Sequence, residues 1–543
     1  MAEPAPAASG GAGSGAPHGS GAPAQAAPEP CRPRTPFPRR ATLAALVAAG
    51  VLATLILTAG LHRRPRPTEL LLLVLLLVAA YFAARRVLPH LRLQRVLGWC
   101  CLWLPLAAIF GPALALPARP QFFAFRLLFG LTVLLAAVAY MADRRLPRLG
   151  PRHIVLLFAG WFAWLVVALL WAPVTADGFR YLGILFAELV LMAVVAGAGD
   201  DLRRLRFVVY SLAAGYCLAV LVGAAEALTG RHLQSSAGAH GGKRHIATGF
   251  FYNPNDLATF VAIAWPFLLF GLLFSRRLWQ KGALLLFMAI GLFALAYTGS
   301  RSGMIGVALT TLLTGGFVVV RKWVRHRGLI VAVAAVALVV SVAVAFNTSQ
   351  SAVLRQFQLQ SLDTSTQKAQ QSGGNSATAR FGLTHAGLRV AADYWFMGVG
   401  PGNAENQVRL QPGTPANFAN LHDWWLEVFV VGGVPSLILY VLIYAALLTA
   451  SFRVAARSAD RFTRIVAAAT GIALIGYIVG SLGPSTVLTF TPMWILFGLA
   501  IALTRRRHWE LVDAEAHLAT RPNDRAGVTS PGGRHAAAGG SAT

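Results

Sequence analysis

Apolar residues arrive in unbroken runs as long as a bilayer is thick, and no other feature restricts the fold of this chain so strongly. Ala41–Leu61 and Leu329–Phe346 hold no charged side chain. Runs of about 17–25 residues match a hydrocarbon core, whereas a helix of a soluble core shows a polar face. Charged residues make up 12% of the chain, against about 25% in a soluble globular protein. Mean hydropathy is +0.61. A soluble fold is excluded.

The bilayer-length rule marks candidate spans at 41–61, 69–84, 96–116, 121–141, 154–172, 181–198, 207–228, 253–275, 282–299, 304–320, 329–346, 424–450, 465–483 and 488–504. The second is short and Pro492 interrupts the last. The expected fold is therefore an all-α polytopic membrane protein of about 12–14 transmembrane helices. The expected organisation is a disordered tail over 1–40, N-terminal helices over 41–346, a long loop over 347–423, C-terminal helices over 424–504 and a second tail over 505–543. The first tail is rich in Ala, Gly, Pro and Ser, and no cleaved signal peptide is expected, because the apolar run at Ala41 is too long and too deep in the chain. No internal repeat is visible.

The net charge of +27 would raise nucleic acid as a partner in a soluble protein. Here the basic residues cluster between apolar runs, at Arg85–Arg86, Arg144–Arg145, Arg203–Arg204, Arg276–Arg277, Arg321–Lys322 and Arg505–Arg507. Alternate loops carry three or four Lys/Arg each, and the short intervening loops near 117–120, 172–180, 300–303 and 484–487 one or none. This is the positive-inside pattern, so nucleic acid is not an expected partner, and both termini are assigned to the cytoplasm. One loop disagrees: His62–Thr68 holds Arg63, Arg64 and Arg66 on the side assigned to the periplasm. Cys31, Cys100, Cys101 and Cys217 have no metal-ligand spacing, and neither disulfide nor metal site is expected.

The parity puts the loop 347–423 in the periplasm. Its Ser/Thr/Gln/Gly-rich part, Ser361–Thr378, is expected to be mobile. A helix is expected to follow, with Thr378 as N-cap and Phe381, Leu388, Ala392 and Trp395 along one face. Gly398, Gly400 and Gly402 around Pro401 end it in a tight turn.

Several residues on the same side are candidates for chemistry. The turn Thr298–Gly303 places Arg301 at a helix start, where free N–H groups and a guanidinium fork suit phosphate oxygens. The bland alternative is an arginine that snorkels to the headgroups. Arg180 is a similar case at the mouth of the next span. Arg126 lies deeper and either lines a cavity or pairs structurally. Arg380 and Arg389, on the loop helix, either grip a diphosphate or line its wet face. Asn253 and Asn255 open another span, with Asn255 expected as its cap.

His422 is the strongest candidate. It stands where the long loop meets a membrane helix, and the positive end of that helix disfavours imidazolium, so a largely neutral ring is expected near neutral pH. Such a ring can accept a proton from a sugar hydroxyl. Asp423 is placed to cap the helix, Glu427 lies about one turn deeper, and Trp424 and Trp425 suit an interfacial aromatic belt. Taken alone, a boundary histidine is more often a solvated interface residue.

In order, Phe251-Tyr252-Asn253-Pro254-Asn255, Gly299–Gly303, Arg380 with Gly398-Val399-Gly400-Pro401-Gly402, and Leu421-His422-Asp423 with Glu427 and Gly432–Gly433 resemble the O-antigen ligase and O-antigen polymerase superfamily. The resemblance covers roughly 245–440 by motif and the whole chain by topology. It implies a metal-independent inverting glycosyltransferase without cofactor, in the bacterial inner membrane, with a periplasmic active site in lipopolysaccharide biosynthesis. The implied donor is a glycan on undecaprenyl diphosphate, and the ligase's acceptor is a sugar hydroxyl of lipid A–core. By position, His422 resembles the catalytic base and Arg301 a diphosphate ligand. Arg180 matches in topology only. The same donor would serve a polymerase, or a protein O-glycosylating relative. A transporter of lipid-linked sugar is a reading of another class, but it calls for inverted repeats and broken helices at mid-membrane. Membrane lipids are implied partners, and the oligomeric state is left open.

Overall fold

The computed structural model describes residues 93–116, 119–143, 150–240, 244–321, 376–412, 414, 420–483 and 490–519. The candidate spans at 41–61, 69–84 and 329–346, the first tail, residues 520–543 of the second and the His62–Thr68 loop lie outside the described residues. So does most of Ser361–Thr378. Residues 505–519 are helical.

Every other candidate span falls on a helix. These are α1 (Leu93–Phe110), α2 (Ala124–Asp143), α3 (Arg152–Val167), α4 (Thr175–Gly197), α5 (Leu202–Thr229), α6 (Pro254–Phe274), α7 (Leu278–Thr298) and α8 (Arg301–Val320). In the loop lie α9 (Ser376–Asp393) and the short α10 (Ala404–Arg409); then come α11 (Trp424–Arg457), α12 (Arg461–Gly480) and α13 (Thr491–Ala519). Nine of the described helical segments are long and apolar enough to cross a membrane. The protein is an all-α polytopic membrane protein. A small antiparallel pair, β1 (Ala115–Leu116) with β2 (Arg119–Phe123), joins α1 to α2.

Helix ends follow local chemistry. Asp201, Asn253, Ser300, Asp423 and Asp460 each accept a backbone N–H from the first turn of α5, α6, α8, α11 and α12. That satisfies donors a helix start leaves unpaired. The cap of α6 is thus Asn253, with Pro254 behind it, and not Asn255 as expected. Gly230 and Gly299 end α5 and α7 in the left-handed region, at φ of 66° each.

The most enclosed helices are α6 and α12, which pack against each other and against α8. Small residues let the backbones approach: a Cβ on Gly303 would lie 2.5 Å from Ala258 Cβ, and one on Gly476 would lie 2.2 Å from Thr310 Cγ2. This is the packing mode of helices in lipid, where close contact replaces a hydrophobic driving force.

One end of the bundle collects the basic connections. Arg505 pairs with Asp200, to which Trp509 Nε1 also donates at 3.0 Å. Arg461 lies 5.2 Å over the Phe274 ring and Arg206 5.3 Å over Phe462. The opposite end collects the starts of α4, α6, α8 and α11.

The loop helix exists, but its faces differ from expectation. Thr378 is inside α9, which begins at Ser376. Leu383, Ala386, Val390 and Ala391 are buried against α11, while Leu388, Ala392 and Trp395 are exposed. A Cβ on Gly387 would lie 3.1 Å from Leu421 and 3.3 Å from Leu426. Leu383 and Val390 make this contact together with Ala386, Gly387 and Ala391, and Leu388 and Trp395 face outward.

Candidate active site

The centre of the site is a helix that breaks. Within α11, Gly433 has φ 70° and ψ −167°, so the helix stops and restarts there. The Gly398–Gly402 segment docks against the gap. Val399 N donates to Val430 O at 2.9 Å, Gly400 N to Val431 O at 3.0 Å, and Val434 N to Phe396 O at 2.8 Å. A side chain on Gly433 would meet Phe396 O at 2.2 Å, and one on Gly398 would meet the Gly432 carbonyl carbon at 2.5 Å. Only glycine fits at either face of this seam, and both positions have positive φ.

Three tryptophans around α3 satisfy what the break leaves open. Trp164 Nε1 donates to Gly432 O at 2.6 Å, Trp171 Nε1 to Gly398 O at 2.8 Å, and Trp161 Nε1 to Ser436 Oγ at 2.7 Å. Buried carbonyls without a donor would be costly in lipid. The tryptophans thereby lock the loop to the bundle.

The same segment grips the start of α4. Asn403 accepts from Val174 N at 2.8 Å and donates to Val174 O at 3.2 Å and Pro401 O at 2.8 Å. A Cβ on Gly402 would lie 2.3 Å from Asp177 O. Asn406 Nδ2 donates to Asp177 Oδ2 at 3.3 Å. Arg180 follows within one turn, exposed, and Arg126 on α2 lies within electrostatic reach of it. Arg126 also lies 4.7 Å over the Phe123 ring.

His422 is held from two sides. Its N–H donates to Asn420 Oδ1 at 2.9 Å, and Asn420 Nδ2 donates to Glu405 Oε1 at 3.2 Å on α10. At φ 50° the histidine is in the left-handed region, a strained place for a side chain of this size. Asp423 then caps α11, accepting from Trp425 N at 3.0 Å and Leu426 N at 3.2 Å, as expected. Next to the His422 turn, Tyr181, Gly402, Glu405, Asn420, Leu421 and Glu427 line a cavity of about 120 Å³. Residues from α4, the glycine loop and the start of α11 therefore share one wall.

Arg301 opens α8 beside this region. It is exposed, and Ser300 caps the helix through Gly303 N. A Cβ on Gly483 would lie 2.8 Å from Ser302 Oγ and 3.4 Å from Asn255 Cβ, and Trp424 N donates to Ser481 O at 3.1 Å. The end of α12 thus joins the Arg301 turn, the Asn253–Asn255 turn and the His422 turn. Among the described residues, neither Arg180 nor Arg301 is in an ion pair.

The other candidates are less central. Arg389 is exposed and donates to Pro412 O at 3.3 Å, so it ties α9 to the following loop. Arg380 stands on α9, and its side chain is outside the described residues. Trp424 and Trp425 do not form an interfacial belt: Trp424 is buried, and the two rings pack on Tyr440, Tyr444, Tyr477 and Trp494. Asn403, Glu405 and Asn420 were not singled out from the sequence. Asn403 directly follows the glycine turn, the one local sign of its role.

The residues that build this site fall largely within a segment similar to a known family. Residues 285–441 match the O-antigen ligase family model. That segment is similar to O-antigen ligases. The matched segment runs from α7 into α11 and holds Arg301, the glycine loop, His422 and Gly433; Arg180 lies before it. The teichuronic acid biosynthesis protein TuaE of Bacillus subtilis (strain 168) is 25% identical over 354 residues, 65% of this chain and 71% of its own length. The resemblance read from the motifs is borne out. It supports a glycosyltransferase-like role in polysaccharide synthesis on a lipid-linked substrate at a membrane.

Proposed function

We propose that this protein is an O-antigen ligase-like inverting glycosyltransferase of the bacterial inner membrane. It moves a glycan from undecaprenyl diphosphate to a sugar hydroxyl of lipid A–core, at a site on the periplasmic side, with both termini cytoplasmic. His422 takes the proton of the attacking hydroxyl, which bonds to the anomeric carbon as the bond to the diphosphate breaks. Arg301 and Arg180, with Arg126 behind Arg180, hold the departing diphosphate. Its charge grows in the transition state, so fixed guanidinium groups favour that state over the ground state. Glu405 acts through Asn420 to set the His422 turn. Asp423 caps the helix under it, and Glu427 lines the acceptor side. Arg380 and Arg389 extend the phosphate-facing surface along α9.

The observation that carries this reading is the seam at Gly433. It brings Tyr181 of α4, next to Arg180, and Asn420 and Leu421 of the His422 turn to one cavity wall, and the end of α12 touches the His422 turn through Ser481 and the Arg301 turn through Gly483. The leaving group is already activated, so the reaction needs neither nucleotide nor metal. No group of three or more metal-ligating side chains gathers among the described residues.

A second reading, polymerisation onto another lipid-linked repeat, uses the same donor groups. It is favoured by the relative named for teichuronic acid biosynthesis, a name that calls for no lipid A–core acceptor. The surface glycan of a deletion strain separates the two. Ligation predicts polymerised glycan left on undecaprenyl diphosphate and bare lipid A–core. Lipid A–core carrying a single repeat would instead identify a polymerase.

A further inference from the structure

The turn between α9 and the glycine loop spends backbone strain on exposing aromatic side chains. Trp395 and Phe396 have φ of 54° and 58°, in a region that bulky residues rarely occupy. Trp395 is nevertheless 88% exposed, with Phe396 and Met397 exposed beside it. The turn is rigidly made: Trp395 N donates to Ala392 O at 3.0 Å, Phe396 N to Ala391 O at 2.8 Å and Met397 N to Tyr394 O at 2.9 Å. A soluble loop has no reason to hold such a knuckle in that shape.

Its place on the bundle supplies a reason. Phe396 O accepts from Val434 N, so the knuckle sits at the level where α11 restarts. From Val434 the exposed stripe Val434, Ile438 and Val441 runs down that helix. On the neighbouring α3 and the turn that follows it, Val166, Val167 and Leu170 are exposed too, and Trp171 at the end of that turn bonds Gly398. The knuckle therefore continues two membrane-facing surfaces without a break. Counting from the basic end gives the depth. Val434 to Arg453 is about 29 Å of helix at about 1.5 Å per residue, close to the roughly 30 Å of a hydrocarbon core. The same count from Asp200 and from Arg321 ends at Arg180 and Arg301. Val434, Arg180 and Arg301 then share one level, the boundary between acyl chains and headgroups, where tryptophan is favoured.

We propose that Trp395, Phe396 and Met397 form a membrane anchor, seated among the acyl chains at the headgroup boundary of the leaflet on the side of the site. The anchor sets the height of the glycine loop, and with it the His422 turn, above that leaflet. The proposal rests on the fold and not on the reaction assigned to the site. It also names the interfacial aromatics of this end, which Trp424 and Trp425 are not.

A nitroxide at Trp395→Cys tests it, in the full chain with Cys31, Cys100, Cys101 and Cys217 replaced, reconstituted in phosphatidylethanolamine–phosphatidylglycerol vesicles. The label is expected to collide often with oxygen and rarely with a water-soluble nickel chelate, like a label at Ile438→Cys and unlike one at Arg457→Cys. Preferential collision with the nickel chelate would place the knuckle in water and overturn the proposal. Protection from both reagents would show protein covering it, from this chain or a second copy, and would also overturn it. If the labelled variant does not fold, quenching of tryptophan fluorescence by brominated lipid in the native chain and in Trp395→Phe decides. Loss of a quenched component in the variant is expected, and identical quenching would refute the anchor.

Discussion

The two ends of the helix bundle use arginine in opposite ways. At the basic end the guanidinium groups are plentiful and engaged with the protein: Arg505 with Asp200, Arg461 over Phe274, Arg206 over Phe462, and Arg507 donating to Arg453 O at 3.3 Å. At the site end Arg180 and Arg301 are exposed at helix starts and in no ion pair among the described residues, beside a loop held by Asn403 and Trp171. Engaged charge thus marks orientation in the membrane, and unengaged charge marks a place where it is kept for a ligand.

Substitutions can break this contrast. The largest effect is expected at the seam. Gly433→Val puts a branched side chain at φ 70° against Phe396 O, and no monodisperse protein should be recovered in detergent. Gly160→Ala on α3, where a Cβ meets nothing within 4 Å, should purify like the native chain. Next comes Arg301→Lys, which keeps the charge but loses the fork. Transfer should fall by roughly 10-fold to 100-fold with unchanged expression, and full activity would reduce Arg301 to a source of field. Asn420→Ala removes the link between Glu405 and His422, and should lower turnover by about 10-fold while KM for the donor changes little. The smallest effect is expected at the other end. Arg505→Gln breaks a partly exposed pair worth less than about 1 kcal/mol, so transfer should be unchanged. A loss of transfer there as large as at Arg301 would erase the distinction between the ends.

What the sequence disclosed follows from the size of the signals. Long apolar runs announce helices, and Asp423 announces where α11 starts. The break at Gly433 was not legible, because a glycine pair inside an apolar run reads as one continuous span. Only the docked loop segment, 227 and more residues from the tryptophans that complete the seam, shows why the helix stops. On α9 Leu388 and Trp395 dominated the periodicity, yet Leu383, Ala386, Val390 and Ala391 make the contact with α11. Trp424 and Trp425 stood where a belt is expected, but the aromatic core of Tyr440, Tyr477 and Trp494 claims them. His422 and Arg301 were legible because few polar residues compete with them at that end. Asn420 was not, since its role depends on Glu405 15 residues earlier.

The account stands on His422 as the base of a glycan transfer. The direct measurement is transfer by purified His422→Ala, reconstituted with the undecaprenyl-diphosphate-linked glycan and lipid A–core, beside the native protein with and without a chelator. General base catalysis is worth about 10²-fold to 10⁴-fold, so the variant should be inserted and folded but show that loss, while the native protein works in chelator. Transfer by the alanine variant at the native rate would remove His422 from the reaction and contradict the account.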